Sequence, residues 1–422
     1  AYFGVEPGAS FHAVQEVFGE RPRLSIQGWY HAATAPPRME EATLSRLKSR
    51  GGGNDNTEGD FSVFETNTTN NGDKNKEATT TTMSSVADYK SDDEEDDDEI
   101  ATTTLSKSDY EFLVQYLNET YLSPKSIKEI RERFEEDSSV QLRQFLKKEW
   151  IEKLDKSMSN NTNHDDDNND DGGNGKAALD YQQCVSNDWN VVGPAHKQRF
   201  LEYTGTEKNT TTDDKAESGP LLMHLKQNVF QSPPFGRFLQ CITSLGMPLG
   251  YRGRVRRFRP GLDYTVAHYG ILTTQPVLDA TLCFCAGTGA QCQVDDETGE
   301  LLGTDADAIW ASGDCGGFEC YIEADDDDDD DKNGGEAAKQ EAADEYNDED
   351  DTELLSVSAS NNTLSLVYRD PGTMRFVKYV GCRAPSSRWD VSMEYEVEDN
   401  DEEGGSDDED KGDDENVDDA EE

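Results

Sequence analysis

One rhythm constrains this chain more than any other feature. Between Arg252 and Val397, short runs of alternating apolar and polar residues recur: "RGRVRRFR", "DYTVAHYG", "ATLCFCA", "GGFECYIE", "TELLSVSA", "TLSLVYRD", "MRFVKYVG" and "WDVSMEYEV". Turn signals such as "RPGLD", "SNN" and "DPG" separate several of them. Alternation at period 2 sends successive side chains to opposite faces, so each run predicts a half-buried strand. About eight short antiparallel strands predict a jelly roll, or double-stranded β-helix.

Helical periodicity precedes the strands. Tyr110, Leu113 and Leu117 share a face, with Phe112 and Tyr116 beside it. In "LSPKSIKEIRERF", Ser123 is placed to cap a helix whose first residue is Pro124. Leu142, Phe145, Leu146, Trp150 and Leu154 form a stripe that predicts a further helix, read as a packed layer. "SPPFGRFLQCITSLG", from Ser232 to Gly246, predicts another that ends at glycine.

Charge divides the rest. The 422 residues hold 90 acidic and 39 basic side chains, a net charge of −51. The excess sits in blocks: Ser91 to Glu99, the unbroken run Asp325 to Asp331, and the tail from Glu398. Such blocks repel themselves and bury no apolar surface, so they predict spacers. The alternative use is attraction of a basic partner, a histone or ribosomal protein. Asn-, Thr- and Gly-rich stretches around 51–82, 156–176 and 205–219 predict linkers. The resulting division is 1–35, the end of one domain; 36–104, a linker; 105–396, a second domain; and 397–422, an acidic tail. Within the second domain, 105–154 is a helical layer and 220–396 a β domain, with acidic insertions at 156–176 and 324–351. The low pI, near 4.2, argues against direct nucleic-acid binding in bulk. No apolar run reaches membrane-spanning length. Eight scattered cysteines suit reduced, intracellular thiols better than a disulfide framework. The chain begins at Ala1 rather than Met, so targeting cannot be read and an earlier segment is expected.

Several residues invite chemistry. His12 and Arg23 flank a "GERP" turn, which sets them on neighbouring antiparallel segments. A neutral imidazole is a good Fe(II) ligand, and an arginine fork meets a carboxylate bidentately. Period 2 places Ser25 on the face of Arg23. On spacing alone this is a weak signal, since a His near an Arg is usually a structural pair. Arg252, Arg254, Arg256, Arg257 and Arg259 concentrate positive charge. They read either as a solvated strand face paired with carboxylates or as a docking surface for ribosomal RNA or an acidic partner, where Phe258 and Tyr264 would stack. Cys283-x-Cys285 with Cys292, Cys315 and Cys320 raises a zinc reading, but Cys-x-Cys is not the spacing of a zinc knuckle. His164-Asp165 lies in an Asn/Asp-rich linker and is not expected to be a site.

"FHAVQEVFGERPRLSIQGWYH" resembles the end of the catalytic domain of the ribosomal prolyl hydroxylases, Fe(II)- and 2-oxoglutarate-dependent oxygenases. "FGRFLQCITSLG", "VRRFRPGLDYTVAHYG", "LDATLCF", "GGFECYIEAD", "LSLVYRDPGTMRFVKYVG" and "RWDVSMEYEV" resemble that family's C-terminal domain, in the same order. The resemblance implies two double-stranded β-helix domains, the first catalytic and the second not. It implies hydroxylation of a proline in a small-subunit ribosomal protein, a need for ascorbate, a link to translation termination, and a cytoplasmic or nuclear location. In some fungal relatives the C-terminal domain serves oxygen-dependent regulation of a transcription factor.

Carried over by position, His12 matches the distal metal-binding histidine and Arg23 the 2-oxoglutarate arginine, with Ser25 a weaker candidate beside it. Trp29 and Tyr30 match core and pocket wall, and His31 is not a ligand. The family's triad also needs a His-x-Asp pair upstream of the distal histidine. Eleven residues precede His12 and none is histidine. These residues alone are therefore expected to lack two of three iron ligands and to be inactive. His268 stands where a His-x-Asp might begin, but Gly270 fills the acidic position, so His268 is expected to be a structural strand residue. The alternative function is a non-enzymatic module that binds a ribosomal or transcription-factor partner.

Overall fold

The computed structural model describes residues 24, 61–64, 104–163, 180–186, 188–205, 217–268, 271–273, 275–285, 293–294, 301–302, 305–324 and 353–397. His12, Arg23, Ser25, Trp29, Tyr30, His31, His164, Gly270 and the acidic runs lie outside them.

Six α-helices are described: α1 (Lys107–Leu113), α2 (Pro124–Asp137), α3 (Lys148–Asn163), α4 (Ser218–Leu225), α5 (Pro233–Thr243) and α6 (Asp305–Ala311). The strands are β1 (Ser139–Arg143), β2 (Trp189–Val192), β3 (Gln198–Tyr203), β4 (Gly250–Phe258), β5 (Tyr264–Thr265), β6 (Val277–Phe284), β7 (Gln293–Val294), β8 (Leu301–Leu302), β9 (Glu319–Glu323), β10 (Glu353–Val357), β11 (Thr363–Arg369), β12 (Thr373–Val377) and β13 (Arg388–Glu396).

Local chemistry sets the boundaries. Ser123 accepts a hydrogen bond from the Ser126 N–H and Pro124 opens α2, as predicted. Ser232 caps α5 in the same way. That helix stops at Thr243, earlier than the glycine reading, because Ser244 takes the left-handed conformation at φ 59°. The "DPG" turn places Gly372 at φ +90°, a value that favours glycine, and the Thr373 N–H closes it onto the Asp370 carbonyl at 3.2 Å.

All eight predicted runs contain strands, and their topology identifies the fold. The large sheet runs β1-β11-β6-β13-β4-β3-β2, with β5 paired to β3, and the small sheet runs β10-β9-β12. The pairings are antiparallel. In chain order β4, β5, β6, β9, β10, β11, β12 and β13 form a set of eight. The large sheet holds the sixth, third, eighth and first side by side, and the small sheet holds the fifth, fourth and seventh. The Val377 N–H donates to Thr265 Oγ1 at 2.6 Å, so β5, the second, flanks β12. This interleaving of two sheets is the double-stranded β-helix.

The two faces of the large sheet differ. Val255, Leu278, Ala280, Leu282, Leu364, Leu366, Val391, Met393 and Tyr395 pack with the helices in one hydrophobic core, which takes in Leu113, Phe134, Phe145, Leu222, Phe230, Phe235 and Phe238. The alternate residues face the small sheet across a lumen. One end of the lumen is closed by Phe200, Phe258, Cys283, Cys285, Trp310, Cys315, Val377 and Val380. Tyr321, Val357 and Val367 form a smaller cluster elsewhere in it.

Three sequence expectations change. Ser139–Arg143 is an edge strand and not the start of a helix: Val140 and Leu142 are buried at period 2 and pair with Leu366 and Leu364 of β11. A linker is expected from residue 156, but residues 156–163 belong to α3. Within the stretch read as linker, residues 61–64 dock on the domain. Ser62 exchanges backbone hydrogen bonds with Tyr251, and Phe64 enters the core.

Candidate functional site

The candidate site is the lumen. In its register, Arg252 and Arg256 of β4 lie opposite Glu394 and Asp390 of β13, and β6 adds Asp279, Thr281 and Cys283 to the same face. Glu319 of β9 and Arg375 of β12 come from the opposing sheet. Arg388 enters at the head of β13 and Arg369 at the end of β11.

These groups form one ion network. Glu319 meets Arg375 at 3.0 Å, Arg256 at 3.2 Å and Arg388 at 3.2 Å. Asp390 accepts from Arg256 at 2.7 Å and lies 3.2 Å from Arg388. Asp279 takes Arg369 at 2.7 Å and Arg375 at 3.0 Å. Glu394 takes Arg252 at 2.5 Å and Arg369 at 3.4 Å. Burial alone would raise the Glu319 carboxyl, but Arg375, Arg388 and Arg256 outweigh it and hold it at about 2. Burial is likewise outweighed at Glu394, where Arg369, Arg252 and Arg375 hold the carboxyl at about 2.

Five arginines face four carboxylates, which leaves one positive charge in excess. Arg388 neighbours Cys283, whose thiol is pulled down by the hydrogen bond from Cys285 and, against burial, by Arg388. Burial opposes the charge on Arg388, but Cys283, Glu319 and Asp390 stabilise it and raise its pKa.

This donor set does not fit an iron–2-oxoglutarate centre. The lumen residues named here include no histidine. Each carboxylate is already engaged by at least two arginines, and freeing a buried member of such a network costs several kcal/mol (about 3–5). Among the described residues, no group of three or more His, Cys, Asp or Glu is arranged to hold a metal ion.

The arginine run pairs with carboxylates, as the first of its two readings expects, but its members are buried or half-buried rather than on a solvated face. Arg252 and Arg256 are lumen members. Arg254 pairs with Glu202 at 3.8 Å. Arg257 lies over the Trp389 ring and donates to Ser387. Arg259 is buried with both carboxylate oxygens of Asp263, at 2.7 and 3.0 Å. The sequence reading recognised the arginines but missed Asp279, Glu319, Asp390 and Glu394. A signal existed: in "VLDATLCF" and "RWDVSMEYE" acidic residues alternate with apolar ones inside strands otherwise built for burial.

His268 follows β5 outside any strand, contrary to expectation. Burial, with Lys197 and His196 nearby, lowers its pKa to about 4, so it is neutral at pH 7. His12, Arg23 and Ser25 lie outside the described residues. Leu24 between the latter two is exposed. Cys283, Cys285 and Cys315 are buried thiols in the cluster that closes the lumen, with Cys283 also beside Arg388; Cys292 lies outside the described residues. Among the described residues no helix is long and apolar enough to cross a membrane.

Residues 108–403 match the family described as "Oxoglutarate and iron-dependent oxygenase degradation C-term". The chain is 31% identical over 394 residues to "Prolyl 3,4-dihydroxylase OGFOD1" of Ostreococcus tauri, covering 93% of this chain and 63% of that protein. It is 23% identical over 425 residues to "Prolyl 3-hydroxylase OGFOD1" of Mus musculus, covering 91% of this chain and 58% of that one. The chain thus spans about three-fifths of the length of these relatives. Among solved structures, a prolyl hydroxylase from Trichoplax adhaerens overlaps 64% of this chain and 89% of its own, at TM-score 0.32 and 11% identity. A Pseudomonas putida prolyl-4-hydroxylase overlaps the same share of this chain and 98% of its own, at TM-score 0.31 and 8% identity. Scores this low carry no weight beside the strand order. With the family match spanning most of its length, the chain belongs to the family of the oxoglutarate and iron-dependent oxygenase degradation C-terminal domain.

Proposed function

We propose that this chain is part of an Fe(II)- and 2-oxoglutarate-dependent peptidyl-proline hydroxylase, in which the described domain binds a partner and residues 1–35 contribute to catalysis. The observation that carries this division is the lumen: its acids and arginines are spent on one another, so the cofactor residues belong elsewhere in the protein. The names of the two relatives support the prolyl hydroxylase reading. His12 would bind iron, and Arg23, with Ser25, would hold the distal carboxylate of 2-oxoglutarate. When bound, iron and 2-oxoglutarate supply the oxygen activation needed to hydroxylate a prolyl C–H bond. Ascorbate is the reductant that keeps the iron active, and the substrate is a small-subunit ribosomal protein, linking the reaction to translation termination in the cytoplasm or nucleus.

A second reading is a non-enzymatic module for a ribosomal or regulatory partner, and the same paired lumen favours it. Succinate release from 2-oxoglutarate, measured with small-subunit ribosomal proteins, separates the two. Residues 1–422 alone are expected to give none, and a longer chain with an upstream His-x-Asp pair to turn over. His12→Ala should abolish that turnover, and Arg23→Ala should raise the KM for 2-oxoglutarate at least about tenfold. Turnover by residues 1–422 alone would sink the proposed division. Silence of the longer chain leaves the interaction reading.

A further inference from the structure

The two sheets differ in width. In the large sheet β1 lies beyond β11, whereas the small sheet ends at β10. Val357 of β10 clusters with Val367 of β11, so β10 lies over β11. No described strand of the small sheet lies over β1. The uncovered space is a cleft of about 360 Å³ whose lining includes Ser139, Gln141, Arg143, Leu355, Val357 and Val367. Arg133 and Asp137, from the C-terminal half of α2, also line it.

Two properties of the cleft say what fits there. First, among the described residues β10 is hydrogen-bonded only to β9, and its Leu355 and Val357 line the cleft. An open edge pairs with an extended backbone. Second, the rim carries two arginines against one aspartate, in a chain with a net charge of −51. Arg133 is shared with Asp137 at 3.4 Å in an exposed pair, a weak tie, while Arg143 has no ion pair among the described residues. At physiological salt charges are screened within about 8 Å, so a bound peptide senses the charges of the rim most.

We propose that the cleft is a peptide-docking site: an extended, acidic segment of a partner protein adds to β10 as a further strand of the small sheet. Alternate side chains of that segment would rest on Leu355, Val357 and Val367, and a carboxylate would meet Arg143. The inference concerns the described domain alone and is independent of whether the whole protein hydroxylates proline.

The test uses the full chain and a fluorescein-labelled peptide, Asp-Val-Thr-Val-Asp-Val-Thr, read by fluorescence anisotropy. The acidic peptide should bind, and the version with Lys for Asp should bind at least about tenfold more weakly. Arg143→Glu combined with Arg133→Glu should reverse that order while leaving the circular dichroism spectrum unchanged, since both side chains are exposed. Methylating alternate peptide nitrogens should abolish binding in one of the two registers, because an added strand needs those N–H groups. Any of several results overturns the proposal: no binding of the acidic peptide, equal binding of both peptides, or indifference to N-methylation in both registers. A dimer in sedimentation that Arg143→Glu dissolves would assign the cleft to a second copy. Tighter peptide binding after Asp325–Asp331 is changed to Asn would assign it to the chain's own acidic run.

Discussion

Glu319 meets guanidinium groups from β4, β12 and the head of β13, and so ties the two sheets together through charge. Glu319→Gln keeps the shape but leaves three arginines without that countercharge, and is expected to cost about 3–5 kcal/mol, read as a lower Tm. The carboxyl falls from an ordinary 4.5 to about 2 on folding. A depressed carboxyl stabilises the fold fully above its unfolded value, and that contribution is lost as pH falls through the folded one. Stability should therefore decline between about pH 4.5 and 2, and Glu319→Gln should flatten the decline. A Tm for Glu319→Gln as high as that of the parent would show the network to be dispensable.

At β1, two periodicities compete for the same residues. Leu142, Phe145, Leu146, Trp150 and Leu154 satisfy a helical stripe, while Val140 and Leu142 alone satisfy a strand. The ladder to β11 decides for the strand, because it buries both side chains against the sheet and gives the backbone its partners. Urea denaturation should then find Leu142→Ala destabilising by about 2–5 kcal/mol. Gln141→Ala, on the exposed alternate, should stay within about 0.5 kcal/mol. Comparable losses at both positions would contradict the strand pattern.

Across the molecule, the helices cover one face of the large sheet and the small sheet the other, while residues 61–64 pair with β4 at Tyr251. Phe64 lies 4.9 Å from the Tyr251 ring and 6.3 Å from that of Tyr395, and Arg252 sits over Phe61. Gly250 permits this approach: a Cβ there would come 2.7 Å from the Phe61 Cβ. Phe64→Ala should release the segment, raising amide exchange at Ser62 and Tyr251 at least about tenfold while the β6–β13 ladder stays protected. Unchanged exchange at Ser62 would mean that Phe64 does not hold it.

The sequence by itself determined the eight barrel strands, the N-terminal cap of α2 and the position of the acidic blocks. Each follows from period, cap chemistry or charge within a short window. It could not assign β1, β2 or β3, whose short apolar runs become strands only where a neighbour supplies the other half of the ladder. Nor could it separate a solvated arginine face from a buried one. Arg252, Arg256, Arg369, Arg375 and Arg388 come from four strands, and their acids from three. Tertiary structure decided that these charges meet inside the lumen, because a buried charge is tolerable only where distant segments deliver its counterion at hydrogen-bonding distance.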